Sequence, residues 1–218
     1  MKQLLQYGFL ATLITIVLGC APAEKIDLTA VDSFVEAIPV WAEGRQTEKN
    51  LTLSFREVIT AGSTKQAYIR IAASTDYRLR VNGEFVAHGP SVAAHDFYRI
   101  DAYDLKSYLH RGKNAITIEV AGYNCPSYYL LDQPSFLQAE IVVDGEVVAA
   151  TGEGFEAYDF GQRVADVPKF SFQRPYTEAY VLDSSYDDWA TDKKWRSTVT
   201  AEKLVEQEHK ALLSRGVA

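Results

Sequence analysis

Tyr77-Arg78-Leu79-Arg80-Val81-Asn82-Gly83-Glu84-Phe85-Val86 (residues 77–86) decides how the whole chain is read. Tyr77, Leu79 and Val81 alternate with two arginines, the period of a strand with one face in a core and the other in water. The run ends on Asn-Gly, the pair favoured where both central residues of a two-residue hairpin turn need positive φ. Residues 76–81 are therefore predicted to pair with 84–88. A second hairpin is written in Ala139-Glu140-Ile141-Val142-Val143, Asp144-Gly145 and Glu146-Val147-Val148-Ala149-Ala150, where Asp-Gly takes the turn.

Outward from these hairpins the period stays at two. Leu51, Leu53 and Phe55 alternate with Thr52, Ser54 and Arg56, which predicts a strand over about 51–59. Tyr68-Ile69-Arg70-Ile71, Phe97-Tyr98-Arg99-Ile100 and Ala115-Ile116-Thr117-Ile118-Glu119-Val120 read the same way. A short helical turn is expected around 104–109, with Gly112 and Asn114 turning the chain into the last of these runs. Roughly six to nine short strands, without a long amphipathic helix before residue 200, predict an all-β fold: an antiparallel β-sandwich, with a jelly-roll topology preferred. Its domain is expected to span 49–182. Residues 20–48 read as a tether and lead-in segment. The stretch 183–218 reads as a linker towards a further domain, in which 201–213 (AEKLVEQEHKALL) suits an amphipathic helix or an extended segment.

The amino terminus carries Lys2, an apolar run from Tyr7 to Leu18, and then Gly19-Cys20. That order is a signal peptide, predicted over residues 1–19. About 12 apolar-leaning residues cover only about 18 Å as a helix, against a hydrocarbon core of about 30 Å. A cysteine after a small residue at this place resembles the cleavage site of bacterial lipoproteins, which implies diacylation of Cys20 and an exported chain held to a bacterial membrane, the outer membrane or cell surface being preferred. The net charge is −7, and loss of Lys2 with the signal makes it one unit more negative. Nucleic acid is thereby disfavoured as a partner. With Cys20 lipidated, Cys125 is left without a disulfide partner, so the core must hold without a bridge.

The phrases Arg80-Val81-Asn82-Gly83-Glu84-Phe85-Val86 with His88-Gly89-Pro90, Phe97-Tyr98-Arg99-Ile100-Asp101, and Ser127-Tyr128-Tyr129-Leu130-Leu131-Asp132-Gln133-Pro134 resemble the amino-terminal β-sandwich of bacterial α-L-rhamnosidases, a family of glycoside hydrolases. Gly122-Tyr123-Asn124, Asp187-Asp188-Trp189 and Ser214-Arg215-Gly216-Val217 are similar to the same family, so the resemblance covers about residues 50–218. The Asn-Gly hairpin and the turn at Lys113-Asn114 fit the broader class of galactose-binding-like sandwiches; the block from Tyr128 to Pro134 is narrower. The resemblance implies a galactose-binding-like fold whose catalytic carboxylates belong to a helical barrel following the β-domains. The chain stops short of such a barrel. The resemblance therefore implies an accessory or incomplete piece of a glycosidase, inactive in hydrolysis by itself.

No acid stands in a pattern that singles out a catalytic pair, and with 29 Asp and Glu in the chain, turns and solvated faces account for nearly all of them. No catalytic residue is assigned. Sugar recognition asks for aromatic faces and a few amide or carboxylate groups. The loop 122–136 gathers Tyr123, Asn124, Tyr128, Tyr129, Asp132 and Gln133 directly after a strand, where recognition residues tend to collect. These six are the candidates for binding a rhamnose-containing, plant-type or other polysaccharide. The alternatives are that the loop packs under itself, or against the missing catalytic domain. His88, His95 and Asp96 fit no closed metal site, no dense run of Asp and Asn suggests calcium, and neither metal nor cofactor is expected. Cys125, without a basic neighbour in sequence, reads as a small loop residue.

Overall fold

The structure, a computed structural model, describes residues 26–183, 186–192 and 194–216; the predicted signal segment and Cys20 lie outside them. Two sheets face each other. The smaller holds β2 (Leu51–Ala61), β4 (Asp76–Val81), β5 (Glu84–Gly89), β7 (Gly112–Gly122) and β10 (Glu156–Tyr158), in the order β10-β2-β7-β4-β5. The larger is built from β1 (Val40–Ala42), β3 (Ala67–Ser74), β6 (Phe97–Asp104), β8 (Phe136–Val143), β11 (Leu204–Glu206) and β12 (Ala211–Ser214), in the order β11-β1-β8-β3-β6-β12, with β9 (Glu146–Ala150) paired to β8. The fold is a β-sandwich.

Both predicted hairpins form. In the first, Val81 pairs with Glu84 across Asn82 and Gly83, whose φ angles are 53° and 85°. In the second, Val143 pairs with Glu146 across Asp144 and Gly145, at 51° and 92°. Gly83 is needed for space as well as for its φ, because a Cβ there would run into Thr191 Cγ2. The expected helical turn is a single one, with Tyr108 N and Leu109 N both donating to Leu105 O.

The core lies where the alternation puts it. Leu53 and Phe55 of β2, Leu79 and Val81 of β4, and Ile116, Ile118 and Val120 of β7 face Ile69 and Ile71 of β3 and Leu137, Ala139 and Ile141 of β8. Trp41 closes one end, its ring 5.8 Å from that of Phe55. Burying each such aliphatic or aromatic side chain contributes about 1.5–3 kcal/mol, which is how the sandwich holds with Cys125 as a free, buried thiol.

The ends of the described chain are woven into the larger sheet. β1, from the stretch read as a lead-in, pairs with β8 and with β11. The stretch read as a linker carries β11 and β12, so 201–213 is extended and not helical. β12 lies parallel to β6 (Ala211 opposite Phe97), an exception to the antiparallel pairing elsewhere among the described strands. The reason is the partner: a strand edge on β6 satisfies the backbone groups that a surface helix would have to satisfy within itself. A short helix, α1 (Asp188–Thr191), covers the smaller sheet with Trp189. No helix among the described residues is long and apolar enough to cross a membrane.

Candidate functional site

The strands of the smaller sheet turn their other face outward, and most of the residues that line the cleft there are polar. β4 presents Asp76, Arg78 and Arg80, whereas Tyr77, Leu79 and Val81 point into the core. β7 presents Glu119 and Ala121, and β2 presents Thr52 and Ser54. The chain from Phe160 to Leu182 folds back over this face as a flap closed on itself, with Val181 N donating to Gln162 O (2.8 Å) and Val164 N to Ala179 O (2.9 Å). Between sheet and flap lies a cleft of about 690 Å³, within the range of about 300–1,000 Å³ in which small-molecule sites fall.

One end of the cleft is aromatic. Phe160, Tyr186 and Trp189 pack with centroids 5.5–5.7 Å apart. They are held down by Arg56, whose Nε donates to Trp189 O (2.7 Å) and whose guanidinium lies 5.3 Å from the Trp195 ring. Tyr186 Oη donates to Glu119 Oε1, and burial followed by that carboxylate's charge pushes the phenol well above its ordinary value. Phe85, on the edge strand β5, lines the cleft with its side 52% exposed.

Ion pairs line the cleft beside this aromatic cluster, Glu119 belonging to both. Arg163, its side chain 9% exposed, donates from Nη2 to Tyr123 Oη (2.7 Å), lies 4.9 Å from the Tyr123 ring, and stands 3.7 Å from Glu178. Arg78 reaches Glu178 at 3.8 Å, and Arg80 reaches Glu119 at 3.3 Å. Desolvation among these walls pushes the Asp76 carboxyl above its ordinary value, against the pull of Arg163. Removing that cation should raise it further. In a carboxyl-carbon NMR titration Arg163→Ala is expected to move the Asp76 midpoint to higher pH, and an unmoved midpoint would show that Arg163 exerts no field on Asp76.

The six loop candidates separate. Tyr123 lines the cleft, its ring buried and its phenol raised by burial, partly offset by the bond from Arg163. Asn124 sits beneath the loop at φ 44°, its Nδ2 donating to Glu48 O (2.9 Å) and Ser135 Oγ (2.8 Å). Gln133 donates to Ser74 Oγ. Tyr128, Tyr129 and Asp132 are exposed and do not line the cleft; Tyr128, 75% exposed, meets the Phe172 ring edge to face. Cys125 is buried, and desolvation pushes its thiol up, away from reactivity. His88 lines the cleft, while His95 pairs with Asp96 on the surface. Among the described residues no three His, Cys, Asp or Glu side chains gather as a metal would require. The arginines and acids of the cleft are what the sequence reading passed over. The available signal was the alternation itself, which places Asp76, Arg78 and Arg80 together on one face.

Fold and cleft together define a two-sheet sandwich with a polar, aromatic-walled site on the outer face of one sheet. Among the solved structures it resembles are α-L-rhamnosidases. It is similar to a GH78 family rhamnosidase of Bacillus sp. GL1, with 28% identity and a TM-score of 0.65 over 73% of this chain and 17% of that one. It is also similar to an α-L-rhamnosidase from Aspergillus terreus, with 20% identity and a TM-score of 0.61 over 82% and 22%, a likeness of fold. No family model matches the chain, nor does a curated protein. The chain spans about a fifth of the length of these rhamnosidases, and its fold is that of a partial β-sandwich portion of them.

Proposed function

We propose that this protein is a non-catalytic carbohydrate-binding accessory domain of an α-L-rhamnosidase-type glycoside hydrolase, and that the cleft on the smaller sheet is where it holds polysaccharide. One observation carries the reading: a cleft of about 690 Å³ that combines aromatic walls with guanidinium and carboxylate groups. Such groups hydrogen-bond hydroxyls from both sides, and aromatic rings pack on the apolar face of a pyranose. The likeness to the GH78 rhamnosidase supports the glycosidase context, and rhamnose-containing chains are the first ligands to try.

The test is affinity electrophoresis of the full chain in mild detergent through a panel of polysaccharides. Retardation is expected, with Arg78→Ala and Phe85→Ala each weakening it at least about tenfold, as expected for a residue worth about 1.4 kcal/mol or more. Tyr128→Ala and Tyr129→Ala should leave it unchanged. Retardation lost only in the two tyrosine variants would move the site to the loop.

A second reading has its own observation. Tyr128, Phe170 and Phe172 are more than two-thirds exposed, and the first and last of them touch. Apolar rings grouped at a surface suit contact with a catalytic domain, and on that reading the domain is a scaffold. Attachment to a bacterial membrane through diacylated Cys20, outside the cytoplasm, is part of the proposal. Metabolic labelling with palmitate should mark the chain, and Cys20→Ala should abolish the label.

A further inference from the structure

We infer that the cleft, on its reading as a sugar site, takes uncharged stretches of glycan and turns away chains that carry uronate carboxylates. The observation is a balance of charge. Three guanidinium groups line the cleft, those of Arg78, Arg80 and Arg163, and three carboxylates answer them, those of Asp76, Glu119 and Glu178. Arg80 is paired with Glu119 at 3.3 Å, and Arg78 and Arg163 share Glu178 at 3.8 and 3.7 Å. Among the described lining residues each guanidinium thus has a carboxylate partner, and His88 is the one further basic side chain. An entering carboxylate that approaches Arg78 or Arg163 comes up against Glu178 and Asp76 as well, so its attraction to the guanidinium is offset by two like charges.

A neutral hydroxyl meets the opposite situation. The two ion pairs at Glu178 are longer than a hydrogen bond, which spans about 2.7–3.2 Å. A hydroxyl can therefore sit against both members, accepting from the guanidinium and donating to the carboxylate without separating charge. Neighbouring hydroxyls on one ring find donors and acceptors side by side around Glu178. Phe85, half-exposed at the cleft's edge, offers its ring to an apolar sugar face. Glu178 is the specificity-determining residue on this account, because among the carboxylates of the cleft it stands within ion-pair distance of two of the three arginines.

The full chain in mild detergent is titrated calorimetrically with polysaccharides containing glucuronate or galacturonate, each alongside its carboxyl-reduced, uncharged counterpart. The reduced chain is expected to bind at least about tenfold more tightly than its acidic parent, since like charges brought together weaken association strongly. Glu178→Gln, which removes the carboxylate paired with both Arg78 and Arg163, should narrow or reverse that ratio. Acidic parents bound as tightly as their reduced forms, or a ratio unmoved by Glu178→Gln, would overturn the inference while leaving the cleft a sugar site. A folded chain that binds neither member of any pair overturns the sugar reading and this inference together.

Discussion

Replacing Glu140 with alanine is expected to cost the fold about 3–5 kcal/mol, the usual loss when one partner of a buried ion pair is removed and the other left behind. For a domain of this size that is a fall in Tm on the order of 10 °C. Glu140 is 0% exposed, in the middle of β8. Its carboxylate accepts from three successive backbone amides, those of Val35, Glu36 and Ala37, at 3.0–3.2 Å. Arg70 Nη1 donates to Oε1 at 2.6 Å from the neighbouring strand β3. Hydrogen bonds to an ionised acceptor are about twice as strong as neutral ones, and four donors lose theirs together. Beside it Gln138 Nε2 donates to Ala37 O at 2.7 Å, so the same few residues fasten the lead-in across the outer face of the larger sheet. Thermal unfolding of Glu140→Ala measures the loss, and amide exchange should show residues 35–37 losing protection first. A fall of only one or two degrees with those amides still protected would mean that Gln138 and the β1 pairing hold the lead-in without the carboxylate.

Glu140 also shows what a sequence can and cannot say about this fold. The hairpin containing it is legible because Asp-Gly is a local requirement, met by two positive φ angles whatever lies elsewhere. Its alternation correctly turns Glu140 away from the core between the sheets. That this outward face is then covered by residues 35–37 depends on a contact across more than a hundred residues, and the alternation carries no trace of it. The same limit applies to 201–213, whose pattern suits a helix as well as an extended run until the edge of β6 is present to pair with β12. It applies to the site as well. Arg78 and Arg80 are legible as outward residues, but Glu178, the partner of Arg78, and the aromatic wall at Phe160 arrive on an irregular flap without periodicity. Tyr123 could be nominated from its place just after a strand, whereas Asn124, identical in its apparent promise, is taken up in holding the loop to Glu48 and Ser135.

Asp101 is the second buried acid, and its loss should be of similar size, about 3–5 kcal/mol for Asp101→Ala. Phe97-Tyr98-Arg99-Ile100-Asp101 suggests an outward carboxylate at the end of an alternating run, yet Asp101 is 0% exposed. Oδ2 accepts from Tyr77 Oη at 2.6 Å and from Ser91 N at 3.2 Å. Arg215, from just beyond β12, lies 3.4 Å from Oδ1 and donates to Tyr103 Oη at 3.2 Å. Tyr77 and Tyr103 are joined hydroxyl to hydroxyl at 3.0 Å. The Tyr77 phenol is pushed far above its ordinary value, first by burial and then by the Asp101 charge, so it stays protonated and keeps donating. A phenol raised in the folded state stabilises the fold fully below the ordinary tyrosine value, and that contribution is lost as pH rises beyond it. Asp101→Asn removes the charge but keeps an acceptor; it should cost less than the alanine variant and lower the Tyr77 phenol in an ultraviolet titration. The network also borders the cleft, since a Cβ on Gly89 would collide with both Asp101 Oδ2 and Tyr77 Oη. Arg215→Ala, which cuts only the link to the tail, should therefore loosen β12 in amide exchange while leaving the Tyr77–Asp101 bond in place. Equal losses from Arg215→Ala and Asp101→Ala would mean instead that docking the tail is the whole of what the carboxylate does.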